Sequence, residues 1–327
     1  MKRLYVYTIG DASNGMGHIS RELVLARQLL AHGVKVTFLD HADTPGHRWL
    51  CEHGDGLSVL GTRFPDDVIP FLLSAGSPGD AILVDIEQGP TREMLDALRS
   101  HFRHVIVVAG NGYTLQDYAA VVDLADLEIY QGLDAMPGRK AVSGAEFILI
   151  DPAFRDCRFN AAGHICVNWG GSDPHNLTRP SIAALAGIDR RVVVIVGPAA
   201  RFEAPIALPD NVELVCAPPS LRPYLDGAAL FAGAFGTVVW EACAAGIPSV
   251  MLGWSGAHVT AQARLQALGV GRNLGLWDAF DKDVFRVCVE SFVGEAKLLP
   301  RYSKRARELV DGGGAARVAA RIEECLR

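Results

Sequence analysis

Short β-branched runs alternate with amphipathic stretches through both halves of the chain, and this rhythm restricts the fold more than any other feature. Leu4–Tyr7, Val34–Leu39, Ala81–Asp85 and His104–Val108 are apolar runs of strand length. Ile19–His32 carries apolar residues at helical spacing and stops at Gly33, and Thr91–Ser100 reads as a polar helix. A second series follows the irregular stretch Asp151–Gly163: Ile165–Trp169, Val192–Val196, Val212–Val215, Leu230–Ala232 and Ser249–Leu252. Strands that alternate with helices pair in parallel, and a parallel sheet needs both faces covered. The expectation is an α/β chain of two Rossmann-like domains, residues 1–155 and 156–327, with an inter-domain cleft lined by the carboxyl ends of both sheets. The last stretch reads as helical, broken at Gly312–Gly314, with its helices able to cross back onto the first domain.

A length of 327 residues allows two such domains, at roughly 100–200 residues each. The formal net charge of −6 argues against a nucleic-acid partner, which usually requires a basic footprint. No apolar run approaches the ~18–20 residues that span a bilayer, so no transmembrane segment is expected. The opening MKRLYVYTIGDASNG has a signal-like start, but Asp11 interrupts it and no cleavage site follows, so it reads as a first strand. Seven scattered cysteines without a CxxC or Cys/His cluster suggest reduced, mostly buried thiols and a cytoplasmic location. The oligomeric state is left open.

Three glycine-bearing turns carry the chemistry. The first is Gly10–His18, GDASNGMGH, between strand one and its helix. Gly15 and Gly17 can take positive φ and let a ligand approach the backbone. The helix start offers free N–H groups and the positive end of the dipole, which suits an anion. His18 sits there, where the dipole is expected to lower its pKa and favour the neutral imidazole of a general base. Arg21 is one turn on. A plain tight turn with a surface histidine is the competing reading.

The second turn is GGSDPHNLT, Gly170–Thr178, after the strand ending at Trp169. Gly170, Gly171, Ser172, Asp173 and Asn176 are candidates for cradling phosphate oxygens. The third is GAFGTVVWE, Gly233–Glu241, where phosphate could lie on the N–H groups of Gly236 and Thr237. Glu241, four residues after Thr237 and so on the same helix face, could accept both hydroxyl protons of a ribose. The second turn has a plain strand-to-helix connection as its alternative, and for Glu241 of the third the alternative is an exposed helix glutamate. Asp85 at a strand end, Asn168, and His258 near a helix start are further candidates. No P-loop, HExxH motif or acidic metal-binding pair is present, so no metal and no cofactor is expected.

These residues carry a family likeness. The chain resembles the UDP-sugar hydrolases of the pseudaminic acid pathway (PseG-like) and, more remotely, GT-B glycosyltransferases of the MurG type. GMGHISR, Gly15–Arg21, looks like that family's glycine–histidine loop, which implies His18 as the base. GAEFILIDPAF, Gly144–Phe154, is similar to the segment joining the two domains. GGSDPHNLT is the most specific match. AGAFGTVVWEACAAGIPSV, Ala232–Val250, resembles the stretch whose glutamate holds the ribose, here Glu241. Two positions depart from the pattern. Ala257 and His258 stand where the family has an Asn-Gln pair on the sugar side, and AGNGYT, Ala109–Thr114, replaces an Asp-Asp pair.

The resemblance implies a GT-B enzyme acting on a nucleotide-diphosphate sugar. The leading expectation is an inverting, metal-independent glycosyltransferase that uses a UDP-sugar and a small-molecule or glycan acceptor, with His18 removing the acceptor proton. The alternatives are a PseG-like hydrolase that delivers water instead, and a non-catalytic nucleotide-sugar-binding protein.

Overall fold

Each of the two apolar series folds into a parallel sheet in this computed structural model, which describes residues 2–63, 68–110, 124–133, 140–203 and 207–327. The chain divides into two units: unit 1 is Met1–Leu149 with Gly313–Arg327, and unit 2 is Ile150–Gly312.

Unit 1 contains β1 (Arg3–Thr8), α1 (Gly17–Ala31), β2 (Lys35–His41), α2 (Pro45–His53), β3 (Ser58–Thr62), α3 (Val68–Ala75), β4 (Ala81–Asp85), α4 (Arg92–His101), β5 (His104–Ala109), β6 (Leu127–Tyr130) and β7 (Ala141–Val142). Its seven strands lie in the order β3-β2-β1-β4-β5-β6-β7, and every pair is parallel. All five residues of β4 are buried, as are the last five of β1, because helices cover both faces. Local chemistry sets the helix starts: Thr44 Oγ1 accepts from His47 N, and Thr91 Oγ1 accepts from Met94 N at 3.1 Å.

Unit 2 contains β8 (His164–Asn168), α5 (Thr178–Ala184), β9 (Val192–Val196), β10 (Val212–Cys216), α6 (Arg222–Leu225), β11 (Ala228–Ala234), α7 (Thr237–Ala245), β12 (Ser249–Gly253), α8 (Gly256–Ala267), β13 (Gly271–Leu276), α9 (Lys282–Gly294) and α10 (Leu299–Leu309). The strand order is β10-β9-β8-β11-β12-β13, again all parallel. Its core is built from Val192, Val194, Leu230, Ala232, Val250 and Leu252 of the strands, with Phe285, Val289 and Phe292 of α9 laid over one face.

The units divide at Leu149/Ile150 rather than at 155/156, and the final helix α11 (Gly314–Cys325) belongs to unit 1. Backbone contact explains this return. A Cβ on Gly314 would lie 2.1 Å from the Ile148 carbonyl oxygen, so only glycine lets α11 start there. Arg317 Nη1 then donates to the Glu146 carbonyl at 2.8 Å.

The same close-approach logic fixes the middle of unit 2. Gly233 of β11 stands in register with Asn168 of β8, and a Cβ there would lie 1.8 Å from the Asn168 carbonyl oxygen. Gly233→Ala should therefore destabilise the protein by about 1–3 kcal/mol through overpacking. Gly294→Ala, where a Cβ meets nothing within 4 Å, should be neutral or slightly stabilising. Urea unfolding of the two variants beside the parent protein checks this, and equal midpoints for both would refute it.

Candidate functional site

In both sheets the chain winds outward in one direction from the first strand and then reverses. The reversal falls between β1 and β4 in unit 1 and between β8 and β11 in unit 2. At such a point the connections leave on opposite faces and open a crevice at the carboxyl ends of the strands, where open α/β sheets bind ligands. Those ends carry the glycine–histidine loop after β1, Asp85 closing β4, the GGSD turn after β8 and the GAFGT turn after β11.

The loop after β1 is closed by Asp11. Its backbone pairs with Gly15 in both directions, and its carboxylate accepts from the N–H groups of Ser13 and Asn14 at 2.8 Å each. Burial opposes ionisation of Asp11, but hydrogen bonds from Asn14 and Ser13 hold its carboxyl below the usual range. Gly15 has φ 72°, as the turn requires. Gly17 instead takes helical geometry as the first residue of α1, so only one of the two glycines uses positive φ. No side chain caps α1, so its first N–H groups are left without an intrahelical acceptor.

One turn into α1 lies a buried network of charges. His18 Nδ1 is 2.8 Å from Asp85 Oδ1, and its Nε2 is 2.8 Å from Glu87 Oε2. Arg21 donates to both Asp85 oxygens, through Nε to Oδ2 at 2.7 Å and through Nη2 to Oδ1. Residues 18 and 21 share a helix face, which is why one carboxylate at the end of β4 holds both. Asp85 is fully buried; burial would raise its pKa, but Arg21 and His18 hold it well below the usual carboxylate range.

Burial also pushes the His18 pKa down, and Arg21 acts in the same sense, but the Asp85 charge and the hydrogen bonds to Asp85 and Glu87 outweigh both. The net direction is upward. This corrects the expectation that the helix dipole would leave the imidazole neutral: two carboxylates at hydrogen-bond distance dominate a partial charge. Glu22, the next residue after Arg21, is fully buried, and neither carboxyl oxygen has a hydrogen-bond partner among the described residues. Burial and the nearby Asp85 charge push it well above its usual range and favour the protonated form.

In unit 2, Asn168 is a structural organiser. Its side chain donates to the Ile195 carbonyl at 2.9 Å and accepts from Gly170 N at 3.0 Å, which shapes the turn that begins at Gly170 with φ 83°. Asp173 is also occupied internally. Its carboxylate accepts from Leu177 N, Thr178 N and Thr178 Oγ1 at 2.6–3.0 Å, capping α5. Gly170, Gly171, Ser172 and Asn176 form the turn around it, and Asn176 takes φ 54°. His175 of this turn stacks on Trp277 with ring centroids 3.4 Å apart.

The GAFGT turn is the more open of the two. Gly236 precedes α7 in extended geometry, no side chain caps the helix, and a Cβ on Gly236 would meet nothing within 4 Å. The first N–H groups of α7 thus have no intrahelical acceptor. One turn on, Glu241 is partly buried and has no hydrogen-bond partner among the described residues. Burial, and then the charge of Asp151, push its carboxyl up to about 7. His258, in the first turn of α8, lies 5.3 Å from the Phe235 ring beside the GAFGT turn, and its Nδ1 accepts from Trp254 N at 3.3 Å. Ala257 is its neighbour on α8.

The sequence reading therefore named His18, Arg21 and Asp85, which the fold brings together in unit 1. It also named Gly236, Thr237 and Glu241, which lie at the start of and along α7, and His258, whose ring is near Phe235 of the GAFGT turn. It missed Glu87, which bonds His18 from another element, and Glu22, whose burial beside Asp85 its polar type alone does not reveal. Of the Ala109–Thr114 departure, residues 111–114 lie outside the described residues. Among the described residues no three His, Cys, Asp or Glu side chains converge as a metal-binding group, and no helix is long and apolar enough to cross a membrane.

No family model matches the chain, and no curated protein matches its sequence. Solved structures match its whole length. MurG of Acinetobacter baumannii is 15% identical with TM-score 0.65, covering 99% of this chain and 100% of its own. The kitacinnamycin glycosyltransferase is 16% identical with TM-score 0.70, covering 100% and 99%. The spinosyn rhamnosyltransferase SpnG, solved with thymidine diphosphate, is 18% identical with TM-score 0.67, covering 99% and 100%. The chain has the two-domain GT-B fold of these glycosyltransferases; the likeness to the pseudaminic hydrolases rests on sequence motifs alone.

The network around Asp85 has measurable consequences. Asp85→Asn strands the buried Arg21 charge and should cost about 3–5 kcal/mol of stability. Because the Asp85 pKa is depressed, the stability it contributes is present above the ordinary Asp pKa and lost as pH falls through the folded value. His18 works in the opposite sense: its contribution is present below the usual imidazole pKa and lost as pH rises through the raised one. An NMR titration should find the His18 ring still protonated above about pH 6.5 and titrating lower in Glu87→Gln. A ring that titrates below 6.5 in the parent protein would refute the two-carboxylate account.

Proposed function

We propose that the chain is an inverting glycosyltransferase that moves a sugar from a UDP-sugar to the hydroxyl of a small-molecule or glycan acceptor. The observation that carries this reading is the buried His18–Asp85 pair at the strand-order reversal of unit 1, in a chain that matches glycosyltransferases over its full length. SpnG has been solved with thymidine diphosphate and with spinosyn aglycone, a nucleotide and an acceptor of the kind this reading requires.

The acceptor hydroxyl would donate to His18 Nε2 in place of Glu87, whose side chain is 41% exposed. Nδ1–H remains on Asp85, which stabilises the imidazolium that forms, and Arg21 keeps Asp85 ionised and fixed. Arg21 and Asp85 are thus positioning residues. On the donor side, the uncapped start of α7 at Gly236–Thr237 offers N–H groups and dipole to the diphosphate leaving group, with Gly170–Ser172 as a second cradle. Asp173 and Asn176 shape that turn rather than touch the ligand. The Glu241 carboxylate, without a hydrogen-bond partner among the described residues, accepts from the ribose hydroxyls, and His258 lies on the sugar side. The reading needs no metal and no cofactor beyond the sugar nucleotide. Attack opposite the diphosphate inverts the anomeric carbon, since no side chain is assigned as a covalent nucleophile.

Three measurements test this. Calorimetry of Glu241→Ala should show UDP affinity weakened by about 1.5–3 kcal/mol, the worth of hydrogen bonds to a charged group. In the parent protein that affinity should fall as pH drops through about 7, where Glu241 takes up a proton. An unchanged affinity removes Glu241 from the site.

His18→Asn should lower turnover by about 10²–10⁴-fold while UDP binding stays intact. Because the base must be neutral and its pKa is raised, the acid limb of the rate profile should lie above the usual imidazole value and move to lower pH in Glu87→Gln. Normal turnover in His18→Asn would reduce His18 to a turn residue.

Incubation with UDP-, GDP- and CMP-sugars, with and without a cell extract, reads the reaction class. UDP release that requires the extract is the expected result. Equal release in buffer alone would mean water is the acceptor, and UDP binding without any turnover would mean a binding protein.

A further inference from the structure

Unit 1 holds a second polar chain that the proposed reaction does not use. Cys51 on α2 is exposed, and its Sγ lies 3.8 Å from Nε2 of His47, one helical turn earlier. The other ring nitrogen, Nδ1, is 2.8 Å from Oδ1 of Asp40, near the end of β2. Asp40 is fully buried, its Oδ2 has no hydrogen-bond partner among the described residues, and His47 is about a quarter exposed. A thiol, an imidazole and a carboxylate therefore stand in line, from the surface inward.

Each link has a physical purpose. Burial pushes Asp40 up to about 6, so it is still largely an anion at neutral pH, and His47 is the one described side chain it bonds. An anion against Nδ1–H fixes the tautomer that leaves Nε2 free to accept, and it stabilises the ring when a proton arrives. Helical spacing then sets Cys51 directly over Nε2.

We infer that Cys51 is an activated thiol and a modification site, with His47 as its base and Asp40 as the positioning residue, whose reaction partner is a low-molecular-weight disulfide. His47 Nε2 takes the thiol proton and Cys51 Sγ attacks one sulfur of the disulfide. A new S–S bond forms to Cys51 as the old one breaks, and the departing thiolate takes the proton back from His47. The products are a mixed disulfide on Cys51 and one free thiol, with no other oxidant or reductant consumed. The thiolate is the nucleophile in such exchange, so a resident base decides the rate.

The chain carries its own control. Cys216, at the end of β10, is the other exposed thiol, and no imidazole bonds to it among the described residues. The full-length protein is treated at pH 7 with limiting iodoacetamide, and in parallel with oxidised glutathione, and peptides are quantified by mass spectrometry. Cys51 should be alkylated about tenfold faster than Cys216 or more, and should carry most of the glutathione. His47→Gln, a partly exposed substitution, should bring Cys51 down to the Cys216 rate in both reactions and leave Cys216 unchanged. Equal rates at the two cysteines in the parent protein, or a Cys51 rate untouched by His47→Gln, would overturn the proposal.

Discussion

Reversal of strand order in an all-parallel sheet is the constraint from which the rest follows. A chain that adds parallel strands with right-handed crossovers covers one face until it turns back to the other side of its first strand. The turning point leaves a gap between helices at the carboxyl ends, and in this protein it occurs once in each unit, at β1/β4 and at β8/β11. Every glycine-bearing turn with a chemical reading flanks one of these gaps. An open hollow of about 500 Å³ at the amino ends of β8 and β9, lined by His164 and Arg190, has no such origin. Arg190 is there held by the carbonyls of Ala161 and Gly163.

Electrostatics gives the two reversals different characters. In unit 1, Arg21 and His18 of α1 face the carboxylates of Asp85 and Glu87, while burial and the Asp85 charge push the neighbouring Glu22 well above its usual range. Such a network is expensive to bury unless every charge is matched. Solvent reaches Glu87 in this network, while Asp85 and Arg21 are buried. In unit 2, among the described residues, no side chain caps the start of α7, and the Glu241 carboxylate midway along that helix has no hydrogen-bond donor. A matched network suits the movement of one proton, and unmatched donors and acceptors suit the holding of a polar ligand.

Most of the architecture was legible because buried parallel strands are nearly continuous apolar runs. Ala81–Asp85 and Val192–Val196 were read to the residue. The strands not read, β3, β6, β7 and β13, are edge strands or next to one: SVLGT and GRNLGL carry glycine and polar residues because solvent meets part of their surface. The return of α11 to unit 1 was legible only as an option, since it depends on one glycine against one carbonyl at Ile148. Site residues were legible where they sat in a glycine turn, as His18 and Thr237 do. Glu87 was not, because its partner His18 lies on another element, and Glu22 was not, because only the fold shows that it is buried beside Asp85. Asp173 was named from its glycine turn, and only the fold shows its oxygens accepting from Leu177 and Thr178 at the start of its own helix.

Whether the two reversals divide the labour as argued is best tested by hydrogen exchange, read by mass spectrometry with and without UDP. The account predicts protection of the segments 170–178 and 236–241, with residues 15–21 and 160–164 little changed. Protection confined to residues 15–21, or to the amino-end hollow around Arg190, would contradict it and place the nucleotide elsewhere.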